Sequence, residues 1–331
     1  MPSIDFELPT HIIFHYYISG TVAIILNVFV SYLIIFHKGK IDNFSYYLLA
    51  FQITCILSDI NVTFLMQPIG LFPICAGYSH GVMSRVFNWS SNSLMTMLVF
   101  FLSTQIQVIS VCFLRKHKAI TELGTGKRIS DVGYYGFIIF IFLFPFSLAG
   151  SLLLSNETYE VQLNTLYEIW PEVAPKFEEL REFQFYVMNN WMRVFFALTF
   201  LSVVKSGITV NVIVFQMYRI LQNTQRRLST KTISKHRVAL KGLLAQFLTT
   251  PVAFLPACIV AITVLFPTEH SQKISWYSIT VMTTHSILNS IVVMLTYPEF
   301  RRTVLFWKRI HNKTSISVAP RLHSSVVMTV S

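Results

Sequence analysis

The chain has 331 residues, of which 53% are hydrophobic and only 12% charged, with a mean hydropathy of +0.56 and a formal net charge of +11. Soluble domains carry about 25% charged residues, so a water-soluble globule is excluded. Nucleic-acid binding is excluded too, because the lysines and arginines lie in short gaps between apolar stretches rather than gathered on one polar surface.

Taken in chain order, seven apolar stretches are each long enough to cross a bilayer, which takes about 20 helical residues with every backbone amide paired internally. The first is expected over residues 12–36, closed by His37, Lys38, Gly39 and Lys40. The second runs from Phe44 to Gln67 and Pro68, and a Gly/Pro-interrupted segment over 70–85 follows. The third covers 87–114, where Arg115, Lys116 and Lys118 are expected to stop it. The fourth covers 132–154 with a kink at Pro145, since proline removes one helical hydrogen bond. An acidic connection over 155–192 carries seven glutamates from Glu157 to Glu182. The fifth span covers 193–218, the sixth 242–266 through Pro251 and Pro256, and the seventh 274–297. This is an all-α integral membrane bundle of seven transmembrane helices. Its domain is expected over 1–298, with a short amphipathic surface helix and basic cytoplasmic tail over 299–331, where Phe300, Val304, Leu305 and Phe306 interleave with Arg301, Arg302, Lys308 and Arg309.

Orientation follows from the loops, because lysine and arginine near span ends are retained in the cytoplasm. Of the 26 lysines and arginines, 20 fall in the connections after spans one, three and five and in the tail. The N-terminus is therefore expected outside and the C-terminus inside. The first ten residues hold Asp5 and Glu7 but no lysine or arginine, so no cleaved signal peptide is expected. Four cysteines, three of them inside spans and only Cys75 outside, do not make a disulfide framework. Among the glycosylation sequons only Asn156-Glu157-Thr158 lies in an outside loop.

Catalytic patterns are missing from the sequence: there is no Gly-rich phosphate loop, no His-Glu-x-x-His, no G-x-S-x-G and no metal-spaced Cys/His cluster. Neither enzymatic activity nor a metal or other cofactor is expected. A charge at bilayer depth costs from about 2.5 kcal/mol upwards, so Asp59 in span two and Lys205 in span five need an explanation. Lys205 reads either as the counter-ion of Asp59 or as a contact for an anionic ligand. Asn27, Asn289, Gln105, Gln107, Gln246 and His285 are further polar residues inside spans, and Asn27, Asp59 and Asn289 are expected to form a buried network. Toward the outside, Trp89, Asn92, Met95, Thr96, Met188, Trp191, Trp276 and Tyr277 lie on outer turns of spans three, five and seven. They read either as an interfacial aromatic belt or as the walls of a pocket, with Trp89, Asn92, Thr96, Trp191, Lys205, Trp276 and His285 as candidate ligand contacts. On the inside, Arg226-Arg227-Leu228-Ser229 has the pattern that basophilic kinases prefer.

Several motifs are more specific. Lys40-Ile41-Asp42 leading to Tyr46-Tyr47-Leu48-Leu49, then Met66-Gln67-Pro68-Ile69-Gly70-Leu71-Phe72-Pro73 and Ala76-Gly77-Tyr78, recur with Arg115-Lys116-His117, with Gln246 and Pro251, and with Tyr297-Pro298-Glu299-Phe300-Arg301. Across nearly its whole length the chain resembles the nematode serpentine chemoreceptors, class I or the neighbouring class H. The resemblance implies a chemosensory G-protein-coupled receptor of the plasma membrane, in sensory neuron cilia, that binds a small molecule or peptide and activates a heterotrimeric G protein. Arg115, Arg219, Lys235 and Arg301 are then the expected G-protein contacts. The chain departs from rhodopsin-like receptors in reading Phe113-Leu114-Arg115 at the end of span three and Asn289-Ser290 in span seven. A seven-span transporter or ligand-gated channel is the alternative, and it calls for inverted repeats or a continuous polar stripe that the sequence does not display.

Overall fold

The computed structural model describes residues 4–36, 43–125, 129–180, 182–224, 230–298 and 300–303. Among them are helices α1 (Thr10–Phe36), α2 (Asn43–Ile60), α3 (Val82–Phe87), α4 (Ser91–Thr125), α5 (Asp131–Leu154) and α6 (Tyr159–Ile169). Next come α7 (Ala174–Glu178), α8 (Asn190–Asn223), α9 (Thr230–Leu265), α10 (Ser271–Thr283) and α11 (His285–Thr296). Three short strands, β1 (Pro68–Leu71), β2 (Ala76–Ser79) and β3 (Gln184–Phe185), complete the described elements. Seven helical segments are long and apolar enough to cross a membrane. Spans one to seven are α1, α2 with its π-helical extension Asn61–Met66, α4, α5, α8, α9, and α10 joined to α11 at Thr284.

Three boundaries differ from the sequence reading for one shared reason. Arg115, Lys116 and Lys118 do not end the third helix, which runs on to Thr125, while α8 continues to Asn223 and α9 begins at Thr230. Hydropathy marks where the lipid ends, but arginine, lysine, glutamate and alanine are good helix formers in water, so the helices continue past it. Lys118 forms an ion pair with Asp131 at the start of α5 and lies over the Tyr134 ring at 4.7 Å, fastening the inner ends of spans three and four.

Span three is the axis. In its most apolar stretch 61% of residues are buried, against 50% in span two, 22% in span five and 17% in span six. It packs against spans two, four and five, whereas spans five and six scarcely touch each other. Lipid is as apolar as leucine, so close packing and hydrogen bonds rather than water exclusion hold these helices together. Toward the inner end Leu33, Leu48, Phe113, Met217, Leu243, Val293 and Phe300 form one continuous core. At Gly124 an added Cβ would lie 2.5 Å from Ile220 Cγ2, so the absence of a side chain lets the cytoplasmic ends of α4 and α8 meet.

The outer face holds structure that the sequence reading left as plain connections. β1 and β2 form an antiparallel hairpin with Ile69 opposite Tyr78, and β3, from the connection between spans four and five, pairs Phe185 with Ala76. Beneath this sheet Ile4, Leu71, Ile74, Leu166, Ala174, Phe177, Phe183 and Phe185 form a separate apolar core. That core meets water, so the hydrophobic effect operates there at about 1.5–3 kcal/mol for each large side chain fully buried.

Candidate functional site

Two groups of buried polar side chains stand out, one knitting spans one, two and seven and one lying between spans three, four and five. The first is centred on Asn27. Its Nδ2 donates to Asp59 Oδ2 at 2.8 Å and to Ser286 Oγ at 2.6 Å, and its Oδ1 accepts from Ser290 Oγ at 2.6 Å and from Gln52 Nε2. Gln52 Nε2 also donates to Ser290 Oγ at 2.9 Å, and the Ser286 hydroxyl reaches the Asp59 carboxylate. Helical spacing explains the convergence: Gln52 and Asp59 are two turns apart on one face of α2, and Ser286 and Ser290 one turn apart on α11.

The structure thus brings Asn27 and Asp59 together, while Asn289 is fully buried nearby with neither its Nδ2 nor its Oδ1 paired. Gln246 Nε2 on span six is likewise buried without a partner. Gln52, Ser286 and Ser290 escaped the sequence reading. The two-turn spacing of Gln52 from Asp59 was the available signal, whereas serines in an apolar helix carry almost none.

The second group corrects the idea of an Asp59–Lys205 pair. Lys205, half-buried on α8, donates to Gln107 Oε1 of span three at 2.9 Å and sits 3.9 Å from the centre of the Phe144 ring of span four. Gln107 Nε2 in turn donates to Ser202 Oγ at 3.4 Å. Among the described residues Lys205 has no carboxylate within ion-pair reach, because α8 and the Asp59 face of α2 lie on opposite sides of span three.

The outer candidates separate into two kinds. Trp276 is buried, and its Nε1 donates to Gly70 O at 2.7 Å, while Tyr16 Oη donates to Pro68 O at 3.0 Å. These bonds, together with Ser79 N donating to Ser91 Oγ at 3.1 Å, hold the hairpin across the outer ends of spans one, three and seven. Trp89, Met188, Trp191 and Tyr277 are exposed at the outer ends of their spans. Asn92 and Thr96, one turn apart on α4, each keep a buried side-chain oxygen without a partner. His285 lines a small internal cavity with Gln105, Ile106, Thr250 and Phe254, with room for about one water molecule.

Outside the bundle, burial pushes the Cys75 thiol up to about 11. Asn156 is exposed directly after α5. On the inner side Arg115 is half-buried, and Arg219 and Arg301 are exposed. The side chain of Lys235, the segment 226–229 and the tail from 304 onward lie outside the described residues.

A seven-helix bundle with an inward basic face, a capped outer face and a polar knot joining spans one, two and seven defines a seven-span membrane receptor. Residues 2–304 match the family described as the serpentine type 7TM GPCR chemoreceptor Sri, and the chain belongs to that family. The fold is similar to that in the crystal structure of squid rhodopsin, with a TM-score of 0.58 and 12% identity over 94% of this chain and 91% of that one. At that identity the likeness concerns the fold alone. No curated protein matches the chain.

Proposed function

We propose that this chemoreceptor binds a small molecule or peptide presented from outside and activates a heterotrimeric G protein at its inner face. The observation that carries this reading is the asymmetry of the bundle. Spans one, two and seven are cross-linked by the Asn27 network, while span six, with Pro251 and Pro256, is the least buried and hardly meets span five. A ligand shifts such an equilibrium only by its differential affinity for two arrangements, and we assign the second arrangement to span six, which carries two prolines and packs mainly on span seven. Asn92 and Thr96, with unpaired buried oxygens, and His285 beside the internal cavity are the polar contacts we assign to the ligand, with Trp89, Trp191 and Trp276 as its apolar surroundings.

Arg115, Arg219, Lys235 and Arg301 supply the basic surface for the G protein. Asn156 carries the glycan, and the receptor resides in the plasma membrane of sensory neuron cilia. Expression with a promiscuous G-protein reporter, followed by screening of odorants, pheromone-like metabolites and peptides, tests the assignment. An agonist response lost on neutralising Arg115 and Arg219 together is the expected result. Ligand-evoked current in cells lacking G proteins would instead favour the channel alternative.

A further inference from the structure

We propose that Lys205, Gln107 and the serines beside them form an intramembrane seat for the acid head of a single-chain amphiphile dissolved in the bilayer. The inference goes beyond the receptor reading by adding a second, bilayer-side site, and it rests on that reading only for the consequence of binding.

Depth comes first. Arg193 and Arg219 mark the two ends of the apolar part of α8, and Lys205 lies 12 residues from one and 14 from the other. At about 1.5 Å per residue these distances are roughly 18 and 21 Å, which puts Lys205 at the middle of a hydrocarbon layer about 30 Å thick. Leu201, Val204 and Ile208, one turn either side, are exposed on the lipid face. An ammonium there is too deep to reach either headgroup layer with its own stem.

Chemistry comes second. The ammonium has one neutral acceptor, Gln107 Oε1, and one aromatic face, Phe144, and no carboxylate within reach among the described residues. Lysine carries three donors, so its capacity is unfilled by these contacts. One turn or less along the same helix, the buried Ser206 hydroxyl has no partner and Ser202 is met only by the 3.4 Å bond from Gln107. Donors thus exceed acceptors, a set complementary to a carboxyl group, with apolar walls for an alkyl chain.

The route comes third. The β1–β2 hairpin lies across the outer ends of spans one, three and seven, whereas half-buried Lys205 sits on α8 beside Leu201, Val204 and Ile208, which the bundle leaves uncovered. Phospholipid headgroups sit at the membrane surface, about 15 Å or more from the midplane, so their phosphates do not reach this ammonium. A free alkyl acid, whose head is not tied to the surface, does.

The test uses the full-length receptor in phosphatidylcholine nanodiscs titrated with cis-parinaric acid, a fluorescent polyene fatty acid, and with its methyl ester. Wild type should prefer the acid by about tenfold, the scale of one charge-assisted hydrogen bond. Lys205→Gln should abolish that preference and Lys205→Arg should keep it, each checked for unaltered thermal unfolding. Equal binding of acid and ester by wild type overturns the proposal without reference to any variant. Displacement of the probe by phosphatidylglycerol in the nanodisc also overturns it, by showing that a lipid headgroup reaches the site. The outcome is separable from the receptor reading: acid-selective binding with no G-protein response to any ligand removes the signalling claim alone, and a normal agonist response without acid selectivity removes the seat alone.

Discussion

Spans one, two and seven and spans five and six are built of the same apolar material, yet they are held in opposite ways. The first set is tied by five side chains, Asn27, Gln52, Asp59, Ser286 and Ser290, bonded to one another with Gln52 Oε1 left over, and His15 Nε2 lies 3.0 Å from Thr283 Oγ1 between spans one and seven. The second set relies on contact with span three or span seven, and its two members leave each other almost untouched. Since lipid supplies no hydrophobic drive between helices, the placement of polar groups decides which of them are fixed. In the function proposed above, the first set is the frame and the second the moving part.

The sharpest attack on that contrast is Asp59→Leu. It strips Asn27 Nδ2 and Ser286 of their carboxyl acceptor inside a buried network and should cost about 3 kcal/mol, seen as a large fall in the melting temperature of purified receptor. An unchanged melting point would mean that the knot is not structural. Next in size, Trp276→Phe keeps most of the ring but leaves Gly70 O without its donor, and about 1–2 kcal/mol should be lost, with faster amide exchange in the hairpin. Ser202→Ala removes only the long 3.4 Å bond on the span-five side, and stability should move by less than about 0.5 kcal/mol. A loss as large as that of Asp59→Leu would erase the distinction between frame and moving part.

The smallest effect concerns Cys75 in the cap. Its thiol is raised to about 11, so little reactive thiolate is present at neutral pH and labelling by an impermeant maleimide should be slow, quickening as pH climbs toward that value. Rapid labelling at pH 7 would show that the cap opens readily.

The bundle was legible in the sequence because each span announces itself by length and apolarity, and the inner side by its arginines and lysines. Asn27 and Asp59 were legible because a polar group in lipid demands a partner. Their further partners were not, since Ser286 and Ser290 lie more than 250 residues away in sequence from Asn27 and serine is common in apolar helices. The outer cap was illegible for a different reason. Its core draws one residue from the N-terminus, three from the hairpin and five, spread over 166–185, from the connection after span four, so no one stretch shows a helix or strand period long enough to read. Lys205 stood out by cost alone, and only the fold revealed that Gln107 and Phe144, rather than Asp59, receive it.

The ladder between Ala76–Gly77 and Gln184–Phe185 has a mechanical consequence. A few residues beyond β3, Asn189 caps α8 through Met192 N and grips Ser155 O at 3.0 Å, so the upper tip of the fifth helix, the tip of the fourth and the lid sheet form one lever. A tug on that tip reaches Pro68 and Gly70, and through them Tyr16 and Trp276 on the opposite rim, without passing through the bilayer.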